Sequence, residues 1–413
     1  MTAVPPITLG SIGITYGGLT GKSKKDFGHG NGRYVTFLEV MSSARLEGRA
    51  LGHVAVGPTE RQNEVRRGDI LFNGSSETPD EVALSTVVSF EAPAGVYLNS
   101  FCFGYRLNRS GEADATYLAY FFRSSAGREL VSVLAQGATR YNIAKTKLLR
   151  VPLELPAFEE QKQIAGALTS ADDYIVSLER LIAKKRAIKQ GILQDLLYAR
   201  TRLPGFSGEW GMTTLGDHFE ITSSKRVFQR EWRGSGVPFY RARELAILGT
   251  TGAVENELFI DRSLYERYKR GFGAPEPGDF LVTAVGTLGK TYVVRPEDEF
   301  YFKDGNIIWL KASATVDSQF LKYLFQVPSL QDQIQGGSSG TTIGTYTITA
   351  AKQTIIPLVP LDEQRAIADV LVAVDAEITV LQRRLESVRQ IKQGMMQELI
   401  TGRTRLIHDE VAA

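Results

Sequence analysis

The sequence predicts an α+β protein built twice over: two globular mixed α/β domains separated by two long helices, with an internal pseudo-two-fold duplication. Three observations carry this. The chain has 413 residues, too many for one ordinary core. Aligned on itself with an offset of 203, residues 159–203 match residues 362–406 at 20 of 45 positions. Within both matched stretches apolar residues recur at alternating steps of four and three, the spacing of a helix that buries one seam.

The matched blocks include Glu160-Gln161 with Glu363-Gln364, Ile188-Lys189-Gln190-Gly191 with Ile391-Lys392-Gln393-Gly394, and Arg200-Thr201-Arg202-Leu203 with Arg403-Thr404-Arg405-Leu406. Upstream the likeness fades but keeps its order: Thr8-Leu9-Gly10 against Thr214-Leu215-Gly216, then Gly68-Asp69-Ile70-Leu71 against Gly278-Asp279-Phe280-Leu281. Each repeat is therefore a divergent globular half followed by a well-matched tail. The boundaries read as a domain at 1–155, a helix at 156–208, a second domain at 209–358 and a second helix at 359–413.

The first tail's seam runs through Ile164, Leu168, Ala171, Ile175, Leu178, Ile182, Lys185, Lys189, Ile192 and Leu196. The second repeats it with Ile367, Leu371, Val374, Ile378, Leu381, Leu385, Val388, Lys392, Met395 and Leu399. Pro156 and Pro360, followed by the acidic pairs Glu159-Glu160 and Asp362-Glu363, suit helix starts. Roughly forty residues of helix extend ~60 Å, and a seam this regular needs a partner, the nearest being the other copy. Gly191 and Gly394 inside these helices mark either close backbone approach or a tolerated, inherited glycine. Lys189 and Lys392 set register or, the preferred reading, snorkel to solvent.

The divergent halves mix strand-like runs such as Asp69-Ile70-Leu71-Phe72 and Asp279-Phe280-Leu281-Val282 with Gly-rich turns and a helix near Tyr117 or Phe320. Loops combining basic, polar and aromatic residues are the candidate binding elements, because these side chains reach phosphates and base edges. In the first half they are Lys22, Lys24 and Lys25, Arg33 and Tyr34, Asn73 and Ser75, and Arg140, Tyr141 and Asn142. In the second they are Lys225 and Arg226, Arg241 and Arg243, Thr287 and Lys290, and Thr341, Thr342 and Tyr346. Any one cluster alone reads as an ordinary solvated loop. A net charge of +2 excludes a broad basic footprint, so a nucleic-acid surface here is local.

Several chemistries are set aside. Ala284 to Thr291 fits a P-loop spacing with Ala for the first Gly, but the following Tyr292-Val293-Val294-Arg295-Pro296 is β-rich, leaving no helix N-terminus for phosphate. No nuclease or amino-methyltransferase motif is present, and His29, His53, His218, His408 and the lone Cys102 lack metal-ligand spacing. No catalytic or metal site is expected. No apolar run reaches bilayer length, and an N-terminus without a secretion pattern together with the single Cys102 fits the cytoplasm.

Taken together, the residues resemble the specificity subunits of type I restriction-modification systems. The resemblance covers nearly the whole chain; it is carried by the Pro…Glu-Gln…Ile start of each helix (Pro156 to Ile164, Pro360 to Ile367) and by Lys-Gln-Gly-x-x-Gln at Lys189 to Gln194 and Lys392 to Gln397. It implies two target-recognition domains, each reading one half of a bipartite, asymmetric double-stranded DNA site. It implies helices paired as an antiparallel coiled coil and docking two methyltransferase subunits, with Ile164, Leu168, Ile175, Leu178, Ile182 and Gly191 and Ile367, Leu371, Ile378, Leu381, Leu385 and Gly394 serving helix pairing or partner docking. Restriction-translocase subunits join that core, and S-adenosylmethionine, ATP and magnesium belong to the partners, so this chain holds no cofactor. The heptads alone fit a coiled-coil scaffold with two protein-binding domains equally well.

Overall fold

The computed structural model describes residues 7–108, 111–255, 258–336 and 344–406. Thr341 and Thr342 lie outside the described residues. The chain divides into two compact units, one formed by Met1–Glu179 with Arg383–Ala413 and the other by Arg180–Gln382.

In the first unit, a five-stranded sheet runs in the order Gly13–Gly17, Cys102–Leu107, Ile70–Asn73, Ser85–Val88, Arg45–Leu46. Its inner strands Ile70–Asn73 and Ser85–Val88 are buried throughout, because both sheet faces are covered. Ile70 and Phe72 join one core with Tyr117, Leu118, Ile164, Leu168, Leu399 and Ile400. Leu71, between them, points the other way into a core with Val35, Val96 and Leu98. That second core is closed by a smaller sheet of Gly52–Val54, Phe27–Val35 and Val96–Leu98.

The second unit repeats the plan. Phe280 and Val282 of the strand Phe280–Thr283 face a core that includes Ile367, Leu371, Leu193 and Leu196, while Leu281 faces Phe302 and Trp309. A second sheet joins Trp232–Arg233, Phe259–Ile260, Val237–Tyr240 and Tyr301–Phe302. The repeated Gly-Asp phrase has a physical reason in both units. Gly68 and Gly278 turn the chain at φ 84° and 89°, a conformation that favours glycine. The next residue then buries its carboxylate: Asp69 accepts from the Tyr16 hydroxyl at 2.6 Å and Arg106 at 2.7 Å, and Asp279 accepts from Trp309 Nε1 at 2.7 Å.

The matched tails form helices Phe158–Leu197 and Leu361–Ile400, each of 40 residues. A buried glutamine ties each to its own domain. Gln161 accepts from the Asp114 amide and donates to the carbonyls of Glu112 and Pro156, while Gln364 does the same with Asp317, Thr315 and Val359. The two helices run antiparallel within each unit. In the first, Lys392 meets Asp172 and Arg389 meets Glu179, so one number falls as the other rises. In the second, Lys189 meets Asp375 and Lys185 meets Glu377.

Ile164, Leu168, Leu178, Ile182, Ile367, Leu371 and Ile378 are buried, whereas Ile175, Leu381 and Leu385 are only half-buried, as the flanks of a two-helix seam are. Of the two readings of the glycines one remains, and the reading of the lysines is corrected. Gly191 and Gly394 are exposed, and a Cβ on either would meet nothing within 4 Å, so neither marks close approach of these helices. Lys189 and Lys392 do not snorkel; each is held in an ion pair at 19% and 21% side-chain exposure.

Candidate nucleic-acid interface

In the first unit, two loops distant in sequence become neighbouring strands. Tyr141–Asn142 pairs antiparallel with Ser75–Ser76, setting Asn142 opposite Ser75. Both residues line a cleft of about 330 Å3 together with Thr20, Ser100, Phe101 and Lys145. At its rim Phe101 is 57% exposed, and the Arg140 guanidinium lies 5.2 Å from its ring centroid. Lys145 sits 5.7 Å from the Phe103 ring. An exposed aromatic beside two cations and an amide offers a stacking face, phosphate partners and a base-edge donor in one place.

In the second unit the same combination is built differently. Lys225 lies 4.8 Å from the ring of Phe272, which is 54% exposed, and Arg230 lies 5.2 Å from the half-exposed Phe228. Phe272 ends the helix Arg262–Phe272, whose sequence carries Arg262, Arg267, Lys269 and Arg270 against the single acid Glu266. Leu264, Tyr265 and Tyr268 anchor this helix in the core, leaving Arg267, Lys269 and Arg270 exposed. Arg262 is occupied by Glu299 at 2.5 Å.

The other expected contacts are distributed as follows. Lys24 and Lys25 are exposed on a 3-10 turn whose Asp26 carboxyl is held below its ordinary range by the backbone and hydroxyl of Ser23. Arg33 is exposed on its strand and Tyr34 packs edge-on to Phe27 at 5.0 Å. Arg243 is exposed, and Thr287 and Lys290 sit on the exposed turn of a hairpin. Arg226 is engaged by Asp304 at 2.8 Å and Arg241 by the buried Glu244 at 2.6 Å.

Three side chains are internal rather than presented. Lys22 is 5% exposed and gripped by Glu60, both oxygens lying within 2.7 Å. Asn73 is buried, donating to the carbonyls of Ser75 and Glu81. Tyr346 is a core residue, its hydroxyl 2.6 Å from Thr354 Oγ1 and its pKa pushed up to about 12 by burial. Conversely, Phe101, Lys145, Phe228, Phe272 and the basic face of Arg262–Phe272 escaped sequence reasoning, although four basic residues in eleven was a readable signal.

Beneath each globular half the long helices carry a repeated cluster. In the second unit, the Asp375 carboxylate accepts from Lys189 at 2.7 Å and from the Tyr323 hydroxyl at 2.9 Å, and Lys189 also lies 5.3 Å from the Tyr323 ring. In the first, Asp172 accepts from Lys392 at 2.6 Å and the Tyr120 hydroxyl at 2.7 Å, with Lys392 5.5 Å from that ring. Burial, reinforced by the neighbouring aspartate, pushes the pKa of both phenols well above the ordinary value. Among the described residues no group of His, Cys, Asp and Glu could hold a metal ion, and no helix is long and apolar enough to cross a membrane.

Comparison with known proteins bears on this architecture directly. The family described as the type I restriction modification DNA specificity domain matches residues 52–190 and 207–390. A putative type I restriction enzyme specificity subunit, MjaX, of Methanocaldococcus jannaschii is 25% identical over 94% of this chain and 90% of its own length. A putative specificity subunit of Haemophilus influenzae is 27% identical over 57% of this chain and 58% of its own. The crystal structure of the S subunit from M. genitalium shares the fold with a TM-score of 0.58 at 18% identity, covering 95% of each chain. With two family matches falling on its two repeats, the chain belongs to the type I restriction-modification DNA specificity family.

Proposed function

We propose that each globular half is a target-recognition domain reading one half of a bipartite, asymmetric site on double-stranded DNA, and that the paired helices dock two methyltransferase subunits. The observation that carries this is the exposed aromatic flanked by cations in each unit, Phe101 with Arg140 and Phe272 with Lys225. These clusters differ residue by residue between the units, as reading different bases requires, whereas the Asp-Lys-Tyr clusters beneath both halves are identical, as holding the same two-helix register beneath each half requires. On this reading the chain is a non-catalytic subunit acting in the cytoplasm. Restriction-translocase subunits join the same core, and S-adenosylmethionine, ATP and magnesium are bound by those partners.

Methylome sequencing of cells expressing the chain with methyltransferase subunits tests this. The expected result is a split motif with a fixed non-specific spacer. Exchange of residues 1–155 for those of a relative changes one half-site only. Methylation of a continuous motif, or a change in both halves on exchange, overturns the reading and favours a protein-binding scaffold.

A further inference from the structure

The second unit contains a cavity of about 750 Å3. Its wall brings together Lys290 from the hairpin turn, Lys322 from the helix Ser318–Leu324, and Lys189 and Asp375 from the long helices. Three lysines thus line one cavity with a single carboxylate, Asp375, which Lys189 and the Tyr323 hydroxyl already engage at 2.7 and 2.9 Å. Among the described residues Lys290 and Lys322 take part in no ion pair. Burial depresses the Lys322 pKa most; Asp375 pulls it back up and Lys189 adds to the depression. A desolvated ammonium without a bonded anion gains more from one than a solvated ammonium does.

The first unit has the equivalent cavity, about 540 Å3 and lined by Arg123, Asp172, Arg389 and Lys392, but its cations are engaged: Arg389 pairs with Glu179 and Lys392 with Asp172. The position matching Lys322 is Ala119, and the position matching Gln326 is Arg123, whose guanidinium donates to the carbonyls of Ser85, Val40 and Met41. Its charge is absorbed by backbone. In the second unit two backbone amides of the Gly-Thr-Leu-Gly-Lys turn are already engaged, Gly289 donating to the Thr283 carbonyl at 3.0 Å and Lys290 to Thr283 Oγ1 at 3.0 Å. The turn leads into the strand Thr291–Val293 rather than a helix, so it forms no P-loop cradle, and the lysine ammonium groups are the cationic donors left to recognise an anion.

We propose that this cavity binds a small phosphate-bearing anion between Lys290 and Lys322. A duplex cannot enter a space of this size, its major groove alone being about 12 Å wide, although a backbone phosphate could touch Lys290 at the rim. The site is independent of the DNA reading proposed above.

The test is isothermal titration of the full chain with pyrophosphate, with and without duplex DNA, thermal melting being used to confirm that each variant is folded. The expected result is one saturable site that K322Q and K290Q each weaken by about tenfold or more, that K322R retains, and that duplex does not displace. No binding to the folded wild-type chain, or binding indifferent to both glutamine variants, overturns the proposal. Displacement by duplex of any sequence assigns the lysines to the DNA backbone and overturns it too. Duplex affinity measured on K322Q reports separately on the DNA-reading role.

Discussion

Lys189 reaches Asp375 at 2.7 Å, and Lys392 reaches Asp172 at 2.6 Å: one ion pair made twice with the repeats exchanged. Each pair joins the two long helices and lies over the tyrosine of a domain helix, so it fixes the axial register of the seam beneath that domain. Sliding a helix by one turn would separate both partners at once. Half-buried charges of this kind cost desolvation, so their contribution lies more in specifying one arrangement than in raw stability.

The pair is measurable as a coupling. Lys392→Met and Asp172→Asn should each lower stability, and the double variant should lose less than their sum by about 1–2 kcal/mol. Urea unfolding of the four proteins gives the cycle. Strict additivity would show that the ion pair sets nothing.

The glutamine clamps predict a larger loss. Gln161→Ala leaves the Asp114 amide and the Glu112 and Pro156 carbonyls without their partner, and Gln364→Ala does the same at Asp317, Thr315 and Val359. Each should cost about 1–3 kcal/mol, the range for leaving a buried group unsatisfied. Unchanged melting temperatures would mean that water replaces the amide without penalty.

Ala199, two residues past the end of the first long helix, has φ 53°, and its counterpart in the second repeat is Gly402 at φ 68°. Glycine carries no Cβ to oppose the left-handed conformation, so Ala199→Gly should raise stability by about 1 kcal/mol. A lower melting temperature would contradict the strain.

Acid sensitivity is expected from Glu244. Burial works against its ionisation, but hydrogen bonds from the Arg241 side chain and from the Glu244 and Arg241 amides outweigh this and hold its pKa below the ordinary 4.5. A depressed folded pKa contributes stability that is present above pH 4.5 and lost as pH falls through the folded value. Glu244→Gln should flatten the stability profile in that window; an unaltered acid limb in a pH series of melts would refute it.

Binding to duplex DNA separates presented cations from internal ones. Arg270→Ala and Lys269→Ala should weaken affinity and lower the slope of log K against log salt by about 0.9 for each phosphate no longer neutralised. Lys22→Ala, which removes a cation already gripped by Glu60, should leave the slope unchanged if the protein stays folded. The opposite ranking in fluorescence titrations would relocate the interface.

What was legible follows from the range of the physics. The long helices were readable because Ile164, Leu168, Ile367 and Leu371 obey a local periodicity that burial enforces. Lys189 and Lys392 were misjudged because the deciding partner of each lies in the other repeat, beyond any local pattern. Ser75 and Asn142 were singled out separately, but only strand pairing makes them neighbours. Tyr346 lies in a Thr- and Gly-rich run whose composition predicts a loop, whereas its ring belongs to the core. Phe101, Phe228 and Phe272 erred the other way: an apolar residue is expected inside, and nothing local marks the ones held outside by a stacked cation.

The division of the chain also orders its synthesis. Arg180–Gln382 is an uninterrupted stretch, so every residue of that unit is synthesised before Arg383 of the other. The core around Ile70, Tyr117 and Ile164 waits for Leu399 and Ile400 to close it. The half that is translated first is therefore the last to be completed, and the apolar side chains that Leu399 and Ile400 cover stay open to water until then.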